Sequence, residues 1–325
     1  MIRVGVVGSA GYTGGEILRL LLFHPKTKII FAHSSSQSGK FVSDIHRDLI
    51  GDTDLKFSKT LNLNVDVVFL CLSHGESRKF LTEHKIPTKI KIIDLSEDFR
   101  LNKNSSIGKR NFIYGLPELQ KDKIKNSNSI ANPGCFATSI QLALLPLAKE
   151  NLLSNEISIN GITGSTGAGQ SLSETSHFSW RVNNLAVYKP FEHQHINEVG
   201  ETLSSLQSSL PFNLNFVPMR GGFSRGIITT SQIKISKNIS EIELLYKKIY
   251  ASSPFVFISS SAIDLKQVIN TNKCLIKLTK NKNQLLVECI IDNLLKGASG
   301  QALQNMNLMF GFDETDGLKL KPVAF

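Results

Sequence analysis

Asn132-Pro133-Gly134-Cys135-Phe136-Ala137-Thr138 puts a thiol directly after a Pro-Gly pair and at the head of a long apolar run. A thiol in the first turn of a helix feels the positive end of the helix dipole. That field lowers its pKa and populates the thiolate, which is the nucleophilic form. The other three cysteines, Cys71, Cys274 and Cys289, lie inside strand-like runs and read as packing residues. A nucleophilic Cys135 needs a proton partner, and Glu192-His193-Gln194-His195-Ile196-Asn197-Glu198 offers two imidazoles just before a helix. Alternate residues of an extended segment point to opposite sides, so one imidazole is expected to meet the thiol. His195 is preferred because it sits at the helix start, and His193 then contacts substrate or phosphate. The residues leave these two roles open to exchange. An HxH pair also suits a metal, but no nearby thiol or carboxylate cluster completes such a site, so no metal is expected. Glu198 is a candidate for orienting an imidazole or touching the substrate.

Two glycine-rich loops suit anions. Gly8-Ser9-Ala10-Gly11-Tyr12-Thr13-Gly14 follows the first strand and opens the first helix. There the backbone can turn tightly, approach a pyrophosphate and present helix N–H groups to it. The end of the second strand reads Ser34, Ser35, Ser36, Gln37, Ser38, Gly39, Lys40, with no carboxylate for a ribose hydroxyl pair. Hydroxyls plus a cation suit a 2′-phosphate, so NADP is expected rather than NAD. Ser34, Ser36, Ser38 and Lys40 are its candidate contacts, with Ser73 at the end of another strand. The second loop, Gly164-Ser165-Thr166-Gly167-Ala168-Gly169, is expected to offer backbone donors to a substrate oxyanion, with Ser165 and Gly167 in contact.

The elements that must hold these groups fall into two textures. Ile2–Val7, 28–33, 65–72 and 90–95 read as strands, alternating with helices at 12–23 and 75–84. This is the pattern of a doubly wound parallel sheet of Rossmann type. Residues 135–151 read as a long helix interrupted by Pro146, where a kink is expected. Beyond it, strand patterns at 157–163, 213–218, 226–235, 274–279 and 285–292 surround helices at 196–209 and 240–251. They suggest an α+β domain with a largely antiparallel sheet. A long polar stretch, 164–194, has little periodicity. A last helix covers 298–310. The expected division is a nucleotide-binding domain of 1–151 plus about 298–325, and a catalytic and oligomerisation domain of 152–297.

Composition sets the outer limits. The 325 residues are 41% hydrophobic and 20% charged, ordinary values for a globular chain that buries a large core. The net charge of +10 is spread along the chain without interleaved aromatics, so it reads as a solvated surface that steers anionic ligands and not as a nucleic-acid site. Widely spaced cysteines, the absence of a leader-like start and the absence of an ~18-residue apolar run point to a cytoplasmic protein with no membrane partner.

Taken together, GSAGYTGGE (9 residues from Gly8), DLSEDFRL (Asp94–Leu101), YGLPEL (Tyr114–Leu119), ANPGCFATS (Ala131–Ser139), the GSTGAG loop, HQH (His193–His195), FVPMRGGFSRGI (Phe216–Ile227) and KGASGQALQNMNLMFG (Lys296–Gly311) resemble the N-acetyl-γ-glutamyl-phosphate reductases of arginine biosynthesis. The resemblance implies an acyl-phosphate reductase in which Cys135 forms a thioester that NADPH reduces to the semialdehyde, with one HQH histidine as acid/base. It implies a C-terminal helix returning to the nucleotide domain, with Asn305 near the dinucleotide. It implies a homodimer or homotetramer. Arg225, then Arg220 or Arg181, are the candidates to clamp the substrate's carboxylate or phosphate. Many relatives have Arg after the second loop where this chain has Gln170, and His in the segment that here reads Leu214-Asn215-Phe216. Sequence therefore leaves open an N-acetyl, N-succinyl or carrier-linked aminoadipyl substrate, and the sister activity of aspartate-semialdehyde dehydrogenase. A non-catalytic basic nucleotide-binding module is the alternative outside this class.

Overall fold

The computed structural model describes residues 1–208 and 211–323. By contact, the chain forms two compact units, Met1–Pro133 with Ala298–Lys319, and Gly134–Gly297 with the chain from Leu320 on.

The first unit is built on β1 (Ile2–Val7), α1 (Tyr12–Leu22), β2 (Thr27–His33), α2 (Val42–Ile45), β3 (Phe57–Ser58), β4 (Val67–Leu70), α3 (Glu76–Glu83) and β5 (Lys91–Asp94). A small ribbon, β6 (Ser106–Ile107) and β7 (Arg110–Asn111), precedes β8 (Ile113–Tyr114), α4 (Pro117–Lys125) and β9 (Ser129–Ala131). The main sheet is parallel throughout, in the order β3-β2-β1-β4-β5-β9-β8. Strand order reverses between β1 and β4, which is the switch point where such sheets bind ligands at their C-terminal edge. Val4, Val6, Val7, Val67, Val68, Phe69 and Leu70 are buried, as expected where helices cover both faces. Phe99 and Phe112 stack at 4.0 Å beside Phe80 and Ile92 in one core cluster.

The second unit begins with α5 (Cys135–Lys149) and continues through β10 (Glu156–Thr163), α6 (Phe178–Arg181), β11 (Ala186–Val187), α7 (His195–Leu206), β12 (Asn213–Arg220), β13 (Ile227–Lys234), α8 (Ile239–Tyr250), β14 (Val256–Ser259), β15 (Cys274–Asn281) and β16 (Gln284–Ile291). Its sheet order is β11-β12-β10-β13-β16-β15-β14. Only the β10–β12 and β14–β15 pairs are parallel. The remaining pairs are antiparallel. The last helix, α9 (Gly300–Met309), returns to the first unit and is buried along its whole length.

Helix α5 shows why the two textures meet at Pro133. Every residue from Phe136 to Ala148 is buried. A helix apolar on all sides must be enclosed, and α5 packs on β13, β16, α7 and α8 of the second unit. The sequence reading divides the chain after Asn151; contact places α5 with the elements that follow it. The expected start of the following helix at Ile196 is one residue late, and its expected end at Ser209 lies outside the described residues. Helix α4 and the short strands β3, β8, β11 and β14 carry too few periodic residues to be read from sequence.

Pro146 removes one N–H from α5, so the carbonyl four residues earlier, Leu142, has no helical donor. The hydroxyl of Tyr250 donates to Leu142 O at 2.6 Å, and Tyr246 donates to Ala143 O at 2.5 Å. Both phenols come from α8 and are buried. Tyr250→Phe is therefore expected to destabilise the protein by about 1–3 kcal/mol, the cost of an unsatisfied buried carbonyl. In a Pro146→Ala background, which restores the helical donor, the same change should cost under about 1 kcal/mol. Urea unfolding of the four proteins measures this coupling.

Candidate active site

In the first unit, β1 ends in a turn that only glycine allows. Gly8 has φ +72°, and a Cβ there would lie 2.3 Å from Cys71 O. A Cβ on Gly14 would lie 2.6 Å from both Gly8 O and Ser9 Cα, so α1 packs directly on the turn. Ser9 N–H and hydroxyl both bind His33 O, at 3.1 and 2.9 Å, tying the turn to β2. Gly11 caps α1 without any side-chain hydrogen bond. Tyr12, Thr13 and Gly14 occupy the first turn, whose N–H groups have no helical acceptor. A Cβ on Gly11 would meet nothing closer than Gly8 O at 3.7 Å, so the approach to these donors is open. This cradle fits a pyrophosphate. Ala10 lies within it.

At the end of β2, Ser36, Ser38 and Lys40 are exposed, and Lys40 Nζ reaches Gln37 Oε1 at 3.0 Å. Ser34 is buried, and its oxygen accepts from Gln37 N–H at 3.3 Å, so it shapes the turn. Ser73 is exposed after β4. Asn305 is fully buried in α9, and its amide donates to Gly115 O at 2.9 Å and Asn132 Oδ1 at 3.1 Å. Its nitrogen is thus committed to holding the Asn132 segment.

In the second unit, Cys135 is the first residue of α5 and partly exposed, while Cys71, Cys274 and Cys289 are buried. The preceding Gly134 N–H donates to Glu198 Oε2 at 3.0 Å, and Glu198 is itself buried in the first turn of α7. Glu198 therefore fixes the start of the cysteine helix instead of standing open to substrate. A Cβ on Gly297 would fall 2.9 Å from Cys135 Cβ, so that glycine packs against the thiol-bearing residue.

Both imidazoles are buried and their rings are 4.7 Å apart. The Phe136 ring, next in chain to Cys135, lies 5.6 Å from His193 and 6.4 Å from His195. His193 Nδ1 accepts the backbone N–H of His195 at 3.3 Å. That bond fixes the tautomer with its proton on Nε2. Burial, then the nearby Lys189 and Arg220 charges, push the His193 pKa down to about 4. His193 is therefore a neutral N–H donor at ordinary pH. Tyr188 stands edge-on to His193 at 5.6 Å. Burial, and next the charge of Cys135, raise its phenol to about 12, so it stays protonated.

Two sequence expectations need correction. The 164–169 loop does not hold out its amides. Gly164, Ser165 and Thr166 N–H groups bind Gly226, Phe223 and Ser224 carbonyls at 3.0, 2.9 and 3.1 Å, and Gly167 N–H binds Gly164 O at 3.3 Å. The cause is the 223–226 segment, which leads into β13 beside the end of β10 and takes three of these donors on its carbonyls. Arg225, expected to grip substrate, binds buried Asp292 through Nε at 3.0 Å and Nη2 at 3.2 Å. Asp292 also accepts from the N–H groups of Asn270, Leu294 and Leu295, so the pair organises three chain segments. Tyr188 went unnoticed in the sequence, because a lone Tyr in a long irregular stretch carries no periodic or spacing signal.

Comparison with known proteins agrees with this layout. A family model for the NAD-binding domain of semialdehyde dehydrogenases matches residues 3–127, and one for their dimerisation domain matches 135–293. The N-acetyl-γ-glutamyl-phosphate reductase of Flavobacterium johnsoniae is 54% identical over 325 residues, covering 100% of both chains. That of Bacteroides thetaiotaomicron is 52% identical over 326 residues, again covering 100% of both. The aspartate semialdehyde dehydrogenase II of Vibrio cholerae in complex with ASA has a TM-score of 0.74 at 15% identity, covering 96% of this chain and 98% of that one. The Candida albicans aspartate semialdehyde dehydrogenase with NADP has a TM-score of 0.69 at 12% identity, covering 95% and 99%. At those identities the structural likeness establishes the fold alone.

The His193 shift has a thermodynamic consequence. The unfolded imidazole takes up its proton near pH 6.5, the folded one only near 4. Stability that is complete above pH 6.5 is therefore lost as pH falls toward 4. His193→Gln should show a shallower loss than the parent between pH 7 and 4.5, read from urea midpoints. Parallel losses in the two proteins would contradict a buried neutral imidazole.

Proposed function

Because this chain belongs to the N-acetyl-γ-glutamyl-phosphate reductase family, within the semialdehyde dehydrogenases, we propose that it reduces N-acetyl-γ-glutamyl phosphate to N-acetylglutamate semialdehyde, releasing phosphate, as a step of arginine biosynthesis. The observation that carries this reading is the partly exposed Cys135 at the head of buried helix α5, with two imidazoles, a phenol and a carboxylate packed around that helix start.

The first unit holds NADP. The glycine turn and the uncapped α1 would receive the pyrophosphate, and Ser36, Ser38 and Lys40 would receive the 2′-phosphate, while Ser34 shapes their turn and Asn305 positions Asn132. Ser73, exposed after β4, would border the dinucleotide. Bound NADPH supplies the hydride.

The second unit carries the covalent chemistry. Cys135 Sγ attacks the acyl carbon, the bond from carbon to the phosphate oxygen breaks, and phosphate leaves with that electron pair. The product is a thioester on Cys135. After reduction at the acyl carbon, the oxyanion re-forms the carbonyl and expels the thiolate as the semialdehyde. His195 takes and returns the proton of this cycle. His193, neutral with its proton on Nε2, donates a hydrogen bond to the substrate. Glu198 holds the N-terminus of α5 in place, and Ser165 lies near the start of the second loop as a side-chain contact. Dividing a difficult reduction into acyl transfer and hydride transfer is what a covalent nucleophile offers.

The enzyme is expected to assemble as a homodimer or homotetramer in the cytoplasm. The dimerisation-domain match and the exposed apolar side chains Leu172, Phe178, Leu185 and Phe191 of the second unit support assembly. No helix among the described residues is long and apolar enough to cross a membrane.

Purified protein should reduce NADP⁺ in the presence of phosphate and N-acetylglutamate semialdehyde. N-succinylglutamate semialdehyde and aspartate semialdehyde are the comparison substrates; faster turnover of either would reassign the substrate. Cys135→Ala should lower turnover by at least about 10³-fold with NADPH affinity unchanged. His195→Asn should lower kcat by about 10²–10⁴-fold, the range of a general acid/base, and His193→Asn by less. Equal small losses for the two histidines would refute the assignment.

A further inference from the structure

The glycine turn after β1 is held by a side chain that lies far from it in sequence. His46 follows α2 on the crossover from β2 to β3, and Val42 and Leu49, before and after it in the chain, are both buried. The His46 ring is buried too and stands edge-on to Phe57 of β3 at 6.1 Å. It also lies against the first turns of α1: a Cβ on Gly15 would fall 2.5 Å from His46 Nδ1 and 2.6 Å from its Cε1.

His46 Nε2 is 2.8 Å from Ser9 O. A carbonyl only accepts, so Nε2 carries the proton and donates it. Ser9 is buried, and its N–H and hydroxyl both bind His33 O. A Cβ on Gly14 would come within 2.8 Å of the Ser9 carbonyl carbon, so α1 packs on the same peptide unit. The Ser9–Ala10 peptide is thus pinned by β2, by α1 and by His46. It is trans, so its N–H points away from its carbonyl. By fixing Ser9 O, His46 fixes the direction of the Ala10 N–H. Ala10 is partly exposed, and its N–H meets no acceptor among the described residues. A donor left open beside the uncapped start of α1 offers one more contact to a pyrophosphate oxygen. The imidazole bond also polarises the peptide and strengthens that donor.

We propose that His46 is a positioning residue of the cofactor site: through Ser9 O it aims the Ala10 N–H at the pyrophosphate of NADP. The inference rests on NADP binding by the first unit and not on the reaction assigned to the second. His46 takes no part in the reaction steps; it acts on affinity for the dinucleotide through one peptide plane.

Variants of the full chain test this. His46→Met keeps the volume and loses the donor. His46→Gln keeps an amide N–H near the position of Nε2. His46→Asn carries an amide that stops short of Ser9 O and serves where the Met variant fails to fold. Fluorescence titration with NADPH should give a Kd raised about 5–30-fold in the Met and Asn variants, the loss of one directed hydrogen bond, and within about threefold of the parent in the Gln variant. The ligand 2′-AMP has the adenosine and the 2′-phosphate but no pyrophosphate. Its Kd by calorimetry should stay within about twofold of the parent in every variant, whereas a general loosening of the unit would weaken both ligands alike.

In the reverse reaction, KM for NADP⁺ should rise with the Kd, while kcat and KM for N-acetylglutamate semialdehyde change less than about twofold. An NADPH Kd changed by under about twofold in the Met and Asn variants overturns the role of His46. So does an equal loss in the Gln variant, or a matching loss for 2′-AMP. In each of these cases, normal NADPH binding by the parent leaves the cofactor reading standing. A parent that binds no NADPH sinks the cofactor reading and the inference together. A parent that binds NADPH but turns over no semialdehyde sinks the reductase reading alone, and the binding titrations then decide the role of His46 by the same criteria.

Discussion

The chemistry proposed for this protein depends on where one helix begins. Helix α5 is enclosed from Phe136 to Ala148, so it cannot slide or rotate without disturbing β13, β16 and α7 together. Cys135 is the one residue of its first turn that is not buried. Contacts at both ends keep that start in place. Glu198 accepts the Gly134 N–H before the thiol, and Gly297 lies so close to Cys135 that no Cβ fits between them. Near the far end, two phenols from α8 bind carbonyls around Pro146. In the proposed reaction a thiol held this way would meet its electrophile by position, and correct orientation is worth several kcal/mol of barrier.

Electrostatics at the same spot pull in two directions. The helix N-terminus and the Arg220 and Lys189 charges favour anions, and the buried Glu198 carboxylate opposes them. His193 responds to the cations and to burial by staying neutral. Its Nδ1 is occupied by the His195 N–H, so it has a defined donor direction. The two histidines of one HxH motif thus stand in different environments. One is fixed as a neutral donor by a local hydrogen bond, and the other is held at the first position of α7, where the backbone is regular.

Much of this was legible in the residues. The Pro-Gly-Cys junction marked the helix start because Pro-Gly ends one element and the apolar run begins another. Gly8, Gly11 and Gly14 marked the first turn, and two of the three prove to be positions where a Cβ would collide with backbone. What sequence could not supply was pairing. Arg181, Arg220 and Arg225 are alike as letters, and only the fold shows that Asp292, 67 residues further on, closes the last of them. The second glycine loop failed for the same reason: its donors are real, but a distant segment at 223–226 takes them. Asn305 was placed in the correct helix, yet its amide is engaged inside the first unit.

Which arginine meets a carboxylate is therefore a property of long-range register. Strand β13 runs antiparallel to β16, with Ile227 opposite Ile291. That register brings Gly226 level with Asp292, and the neighbouring Arg225 reaches diagonally to its carboxylate, so the fork closes. Strand β12 instead pairs parallel with β10, and Arg220 comes to rest opposite Thr163, whose side chain carries no charge. A one-residue slip in either ladder would turn these side chains to the opposite faces. The same backbone arithmetic that builds the sheet thus decides which of these cations is closed by a carboxylate.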